Sequence, residues 1–177
     1  EGQRWLVFSE PCAILVASTP AEVFPLLAEL DRRVREGGLY AAGWISYEAS
    51  PAFDPAFRTR APSAFPLAWF GLYHAPSICP DLPVAGEACA VSVAWQPSVD
   101  RRAYEEAIER IRGHIAAGDS YQVNYTLRLR KDFEEDPWTF FLTTCADAPY
   151  AAFVDTGAFA VCSASPELFF SLERSRM

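Results

Sequence analysis

Residues 101–131 admit few backbone solutions. Tyr104, Ile108, Ile111 and Ile115 recur at the spacing of one helix face across Arg101–Ala117. Asp100 stands where a cap is needed and Gly118 where a helix stops. Glu106 and Arg110 lie one turn apart in the order that favours an ion pair. After Gly118-Asp119-Ser120 the period changes to two. Val123, Tyr125, Leu127 and Leu129 share one side, and Gln122, Asn124, Thr126, Arg128 and Arg130 share the other. This predicts a strand over Tyr121–Lys131 with one buried face, following directly on a helix.

The same reading extends along the chain. Trp5–Ser9 and Cys12–Ala17 are short apolar runs, expected to pair with each other. Thr19-Pro20-Ala21-Glu22 reads as a capped helix start, with Val23, Leu26, Leu27, Leu30 and Val34 on its apolar face and Gly37-Gly38 at its end. Pro25 conflicts with an uninterrupted helix and predicts a bend or a late start. Leu39–Tyr47 is nearly all apolar and reads as a strand buried on both faces. Residues 51–66 form a loop with one helical turn, and residues 75–86, with three prolines, form another. Pro66–Tyr73 and Ala88–Trp95 read as strands. Asp136-Pro137 opens a short helix reaching about Cys145. Tyr150–Val154 and Ala158–Ser163 flank Asp155-Thr156-Gly157 as a hairpin, and Leu168–Leu172 starts one more strand. Neighbouring strands with helices between some of them predict an α+β fold, its largely antiparallel sheets packed together with helices on the outside. Two units are expected, residues 1–97 and 98–177.

Composition narrows the function. Half the residues are apolar (51%), so the chain is globular. The formal net charge of -8 argues against nucleic acid and against a membrane surface, both of which need a basic field. The start, Glu1-Gly2-Gln3-Arg4-Trp5, does not read as a signal peptide, and without a Met the chain is expected to begin inside a longer one. Five cysteines with no CxxC spacing read as small buried hydrophobes in a reducing, cytoplasmic compartment. Lys131 is the only lysine, so chemistry that needs an amine side chain has one candidate. His74 and His114 each stand alone, and Glu134-Glu135-Asp136 reads as a solvated helix start, so no metal site is expected.

Two segments carry possible chemistry. The polar face of 122–130 offers two carboxamides, a hydroxyl and two guanidiniums. Open to water, that face is the ordinary solvated side of a sheet. Lining a cleft, it suits a small anionic, hydroxylated ligand. In this chain such a face could also be covered by a second copy. Glu167 follows Ser165-Pro166 and precedes Leu168, Phe169 and Phe170. A carboxylate after Ser-Pro is ordinarily a surface group, whereas part-burial beside these aromatics would suit acid–base work.

Taken together, Ala116-Ala117-Gly118-Asp119, Tyr121-Gln122-Val123-Asn124, Ala148-Pro149-Tyr150 and Ser165-Pro166-Glu167 resemble the chorismate-utilising enzymes in order and spacing. Gly43-Trp44-Ile45-Ser46-Tyr47-Glu48-Ala49, Pro51-Ala52-Phe53-Asp54-Pro55 and Pro66-Leu67-Ala68-Trp69-Phe70-Gly71 look like the branch that makes aminodeoxychorismate. Asn124, and Ala151 where anthranilate synthases place Met, point the same way.

That resemblance implies an incomplete, N-terminal portion of the chorismate-utilising fold. It implies a complete enzyme that converts chorismate and ammonia to 4-amino-4-deoxychorismate for folate synthesis. A glutaminase subunit would supply the ammonia and Mg²⁺ would hold the substrate. Glu167 matches the general acid/base. Gly118, Asp119, Gln122, Asn124, Ser165 and Pro166 match motif positions on the substrate side. Pro149, Tyr150 and Ala151 match a segment that touches bound tryptophan in some members, and Ser46, Phe53 and Asp54 would lie near the N-terminal half of that pocket. The family's nucleophilic lysine, metal-binding glutamates and carboxylate-binding arginine would follow Met177, and Lys131 does not match that lysine. The chain alone is therefore expected to be inactive. An anthranilate or isochorismate synthase fragment, or a non-enzymatic module binding tryptophan or another small molecule, remain as alternatives.

Overall fold

The structure is a computed structural model that describes residues 4–60, 63–83 and 95–172. It is α+β, built from small antiparallel sheets with helices against them. The expected Ala88–Trp95 strand lies almost wholly outside the described residues, with only Trp95 inside them.

The largest sheet has three strands in the order β2 (Ala13–Ala17), β4 (Ala68–Tyr73), β3 (Tyr40–Ile45). The central strand is the buried one. Ala68, Trp69, Leu72 and Tyr73 are all in the core, whereas β3 alternates between part-buried and exposed. The expectation that β3 is buried on both faces therefore fails: it is an edge strand, and β4 takes the central place. The first strand, β1 (Trp5–Val7), pairs not with β2 but with β5 (Ser77–Cys79), inside the segment read as loop. The reason is register. Ala13–Ala17 finds a full partner in Ala68–Leu72, which leaves β1 to the chain leaving β4.

Helix α1 (Pro20–Gly37) starts at Pro20 and runs through Pro25, so the late start is not taken. The Glu22 carboxylate accepts hydrogen bonds from the Ser18 and Thr19 amides at 2.8 and 3.0 Å, which satisfies donors that a helix start leaves unpaired. Gly38 closes the helix at φ +62°, a conformation open to glycine at little cost. Val23 and Leu26 project from α1 into a core with Ala17, Ala49, Leu67 and Ala68. A 3₁₀ turn (Tyr47–Ala49) and the one-turn α2 (Ser50–Phe53) follow β3 and carry Ala49 into that core.

The second half holds β6 (Gln96–Pro97), α3 (Arg101–Ala117), β7 (Leu129–Arg130), α4 (Pro137–Thr144) and the hairpin β8 (Tyr150–Asp155) with β9 (Ala160–Ser165). Asp100 caps α3 by accepting from the Ala103 amide at 2.8 Å, and Asp136 does the same for α4 from Thr139. The ion pairs within α3 include Arg101–Glu105, Arg102–Glu106 and Arg112–Glu109, so Glu106 turns to the preceding arginine and not to Arg110. Only Ala107 of α3 is fully buried, and Tyr104 and Ile115 remain open.

A second core forms where α4 lies on the hairpin. Phe141 is 1% exposed and its ring meets those of Trp138, Phe153 and Trp5 at 5.4, 5.5 and 5.9 Å. The Trp5 contact ties β1 to the second half of the chain. Phe65 against Phe159, at 5.3 Å, is another such tie.

Candidate functional site

The site begins where α3 ends. Gly118 takes φ +82°, and its turn lets the Asp119 amide donate to the His114 carbonyl at 3.0 Å. His114 Nδ1 and Asp119 Oδ2 stand 2.8 Å apart on the surface. Ser120 then donates to the Gln122 carbonyl at 2.9 Å, and Gln122 Nε2 lies 3.5 Å from Asn124 Oδ1. The loop thus holds Gly118, Asp119, Gln122 and Asn124 in one short, locally bonded stretch.

Beyond it the expected strand is cut to β7. Leu129 and Arg130 pair with Pro97 and Gln96, and Arg128 extends the ladder through Ser98, whose amide donates to the Arg128 carbonyl at 2.7 Å. Every residue from Tyr121 to Arg130 is exposed, the apolar set included, and Tyr121 is 93% exposed. The alternation is present in the sequence, but a strand needs a neighbour along its length and a surface to cover one face. Among the described residues, 96–98 provide the neighbour for only three of its positions, 128–130. The polar face accordingly stands open and is not packed into the chain's own core.

Lys131 behaves differently. Its side chain is 6% exposed, its Nζ lies 2.6 Å from Glu135 Oε1, and it sits over the rings of Trp95 and Phe133 at 4.9 and 5.2 Å. An amine held in that way is a structural cation that pins the end of β7.

Glu167 lies just past β9. Ser165 Oγ donates to the Glu167 carbonyl at 2.8 Å, and Pro166 and Glu167 are exposed. The part-burial beside aromatics does not occur. Phe169 is 94% exposed, and Phe169 and Phe170 pair with each other, not over the carboxylate. The strand expected over Leu168–Leu172 does not form, since it too has no partner among the described residues. The hairpin register does join two motifs. Tyr150 faces Ser165 and Ala151 faces Ala164, so Pro149-Tyr150-Ala151 and Ser165-Pro166-Glu167 meet at one end of β8–β9.

The remaining residues of the expected tryptophan pocket are Phe53, Asp54 and Ser46. Phe53 packs on Phe24 at 5.2 Å, and Asp54 accepts from the Ala56 amide at 2.8 Å. Ser46 lines a pocket of about 250 Å³ together with Glu48, Arg60, Ser63, Phe65 and Arg128. Arg128 reaches Glu48 at 3.5 Å across this pocket. The Ser46 hydroxyl is buried and meets no hydrogen-bond partner among the described residues. The sequence does not join Ser46 to Arg128, and it gives Glu48, Arg60 and Ser63 no role of their own. Arg60 follows no local period, and only the fold carries it to Ser46.

Among the described residues, no group of three or more His, Cys, Asp or Glu side chains is placed to hold a metal ion. Among the described residues, no helix is long and apolar enough to cross a membrane.

Comparison with known proteins gives three informative relatives. Aminodeoxychorismate synthase component 1 of Klebsiella aerogenes is 35% identical over 110 residues, 61% of this chain and 23% of that protein. Aminodeoxychorismate synthase of Streptomyces griseus is 36% identical over 101 residues, 56% of this chain and 13% of that protein. Anthranilate synthase component 1 of Thermus thermophilus is 35% identical over 86 residues, 48% of this chain and 19% of that protein. The chain thus spans less than a quarter of the length of each of these relatives. No solved structure matches it. The profile of the chorismate binding enzymes matches residues 2–177, through the Gly118 turn and the hairpin that joins Tyr150 to Ser165. On that match, the chain belongs to the chorismate-binding enzyme family.

Proposed function

We propose that this chain is part of an aminodeoxychorismate synthase component I. Its substrate would be chorismate and its product 4-amino-4-deoxychorismate. In the reaction a C–N bond forms from ammonia, the C4–O bond breaks, and the hydroxyl leaves as water. Ammonia would come from a glutaminase subunit. The observation that carries the reading is the end of the β8–β9 hairpin. Its register sets Tyr150 beside Ser165 and leaves Glu167 two residues on with its carboxylate open to a ligand. A carboxyl there can protonate the departing hydroxyl, which is the proton transfer this displacement needs. Relatives named as aminodeoxychorismate synthase support the choice of branch.

The Thermus relative favours a second reading, anthranilate synthesis from the same substrate. The two differ in product, which mass spectrometry distinguishes. The test is Glu167→Gln in the full-length protein, with chorismate, ammonium and Mg²⁺ supplied. The expected result is formation of 4-amino-4-deoxychorismate by the unaltered protein and a kcat lower by roughly 10²–10⁴ in the variant. Unchanged turnover would remove Glu167 from the mechanism. Anthranilate as the product would move the protein to the other branch. The chain taken alone presents one such carboxyl and, in this proposal, does not turn over chorismate.

A further inference from the structure

We infer that the pocket between Ser46 and Arg128 is a binding site for a small ring-bearing carboxylate, distinct from the Glu167 end of the molecule. This goes beyond the proposed reaction and does not depend on it.

Four observations meet there. First, the Ser46 hydroxyl is buried in the pocket wall with no partner among the described residues. A buried hydroxyl without a hydrogen bond is unfavourable, and rotation of this short side chain toward the cavity would let a ligand oxygen remove that penalty. Second, Arg60 and Arg128 both line the cavity, and a guanidinium fork matches a carboxylate with two parallel hydrogen bonds. Two guanidiniums against the one carboxylate of Glu48 leave the lining with a single positive charge (+2 − 1), in a chain whose formal net charge is -8.

Third, Glu48 does not saturate Arg128. Their separation is 3.5 Å, longer than the roughly 2.7–2.9 Å of a tight charge-assisted bond. The Arg128 backbone is meanwhile held on both sides by Ser98, whose amide donates at 2.7 Å and whose hydroxyl accepts at 3.0 Å. The guanidinium is thus aimed from a fixed base. Fourth, Phe65 and Leu67 supply an apolar wall. The Phe65 ring is stacked on Trp44 at 5.1 Å, and Trp44 on Trp69 at 5.3 Å, so this wall is backed by the central sheet. Charge on one side and a supported aromatic on the other select a carboxylate carried on a ring over a bare inorganic anion.

The distance from Glu167 follows from the hairpin. Phe159, which touches Phe65, stands at the turn end of β9, and Ser165 at the other end. Six residues of strand at about 3.3 Å each put the two ends ~20 Å apart.

The test is titration calorimetry of the 177-residue chain with benzoate, and with acetate, inorganic phosphate and L-tryptophan as comparisons. Saturable binding of benzoate, weaker for acetate and phosphate, is expected. Arg60→Ala and Arg128→Ala should each weaken it about tenfold or more, as expected for loss of a charge-assisted bond. Ser46→Ala should weaken it less. Glu48→Gln should tighten it, because it frees Arg128 from a competing anion, and this is an effect that damage to the fold would not produce. Circular dichroism of each variant separates binding from unfolding. If Arg128→Ala fails to fold, the exposed Arg60 and the Glu48→Gln gain decide the question. No saturable heat with benzoate up to about 10 mM would overturn the proposal. So would phosphate binding as well as benzoate, tryptophan binding without benzoate, or benzoate binding that ignores both Arg60 and Glu48. Failure here leaves the reaction proposed for Glu167 untouched, since that is read from product formation.

Discussion

Arg128 and Glu48, drawn from opposite halves of the chain, face each other at 3.5 Å. Among the described residues, every other ion pair found joins groups no more than five positions apart. Local pairs decorate helices and add little to stability. The Arg128–Glu48 pair instead reports where the second half of the chain meets the first. Trp5 on Phe141 and Phe65 on Phe159 mark two more such meetings.

Phe141 gives the most direct stability prediction. It is fully buried and its ring meets three other aromatics. Phe141→Ala should cost about 3–5 kcal/mol, through lost burial and the cavity left behind. Urea unfolding checks it, and a loss below about 1 kcal/mol would show that α4 is not seated on the hairpin as described.

Two glycines should respond in opposite directions. A Cβ on Gly43 would lie 2.8 Å from the Phe70 Cα and still closer to the Trp69 carbonyl oxygen, inside the β3–β4 pairing. Gly43→Ala should therefore destabilise by about 1–3 kcal/mol. Gly113 lies within α3, and a methyl added there would meet nothing within 4 Å, so Gly113→Ala should stabilise by about 0.5–1 kcal/mol. Thermal unfolding of the two variants side by side checks both signs.

Acid should loosen α1. Hydrogen bonds from Arg32, then Arg33, pull the Glu29 carboxyl down from its ordinary 4.5 to about 2. Amide hydrogen bonds from Ser18 and Thr19 likewise lower Glu22. A carboxyl whose folded value lies below its unfolded one stabilises the fold above the unfolded value. That contribution is lost as pH falls, for Glu29 between 4.5 and about 2. Helicity followed through that window should decline, and Glu29→Gln should flatten the decline. An identical acid profile for the variant would contradict the assignment.

Lys131 should resist chemistry as well as solvent. Its side chain is shielded by Trp95 and Phe133 and bound to Glu135. An amine-acylating reagent should label this lysine far more slowly in the folded chain than in the urea-unfolded one. Lys131→Ala should cost about 1–3 kcal/mol, from the lost ring contacts and ion pair. Rapid labelling of Lys131 in the folded chain would count against the cage.

Much of this was legible in the sequence where the cause was local. Asp100 to Gly118 reads as a helix because cap, period and stop agree, and Pro137–Thr144 and the β8–β9 hairpin follow for the same reason. Partner choice was not legible. β1 takes β5 in place of β2, because two apolar runs close in sequence carry no signal of which will find the better register. Tyr121–Lys131 shows the converse: its alternation is perfect, yet only Leu129–Arg130 form a strand, since alternation supplies a face and not a neighbour. At the site, the Gly118 turn could be read from its residues, whereas the exposure of Glu167 could not, because the aromatics that follow it pair with each other. The meeting of Ser46 with Arg60 and Arg128 could not, because long-range packing creates it.

The strand pairings also set a timetable for folding. β8 and β9 are joined by Thr156–Phe159 alone, where the Thr156 hydroxyl accepts from the Phe159 amide at 3.0 Å, so this hairpin can close on the ~1–10 μs scale of local turns. β4 must wait for β2, with all of α1, β3 and α2 lying between them. Contacts of such sequence separation slow folding, so the Val16–Trp69 pairing of β2 with β4 should form later than the Trp138–Phe153 contact. The first half of the chain would then be the last to settle, although it is the half that leads in sequence.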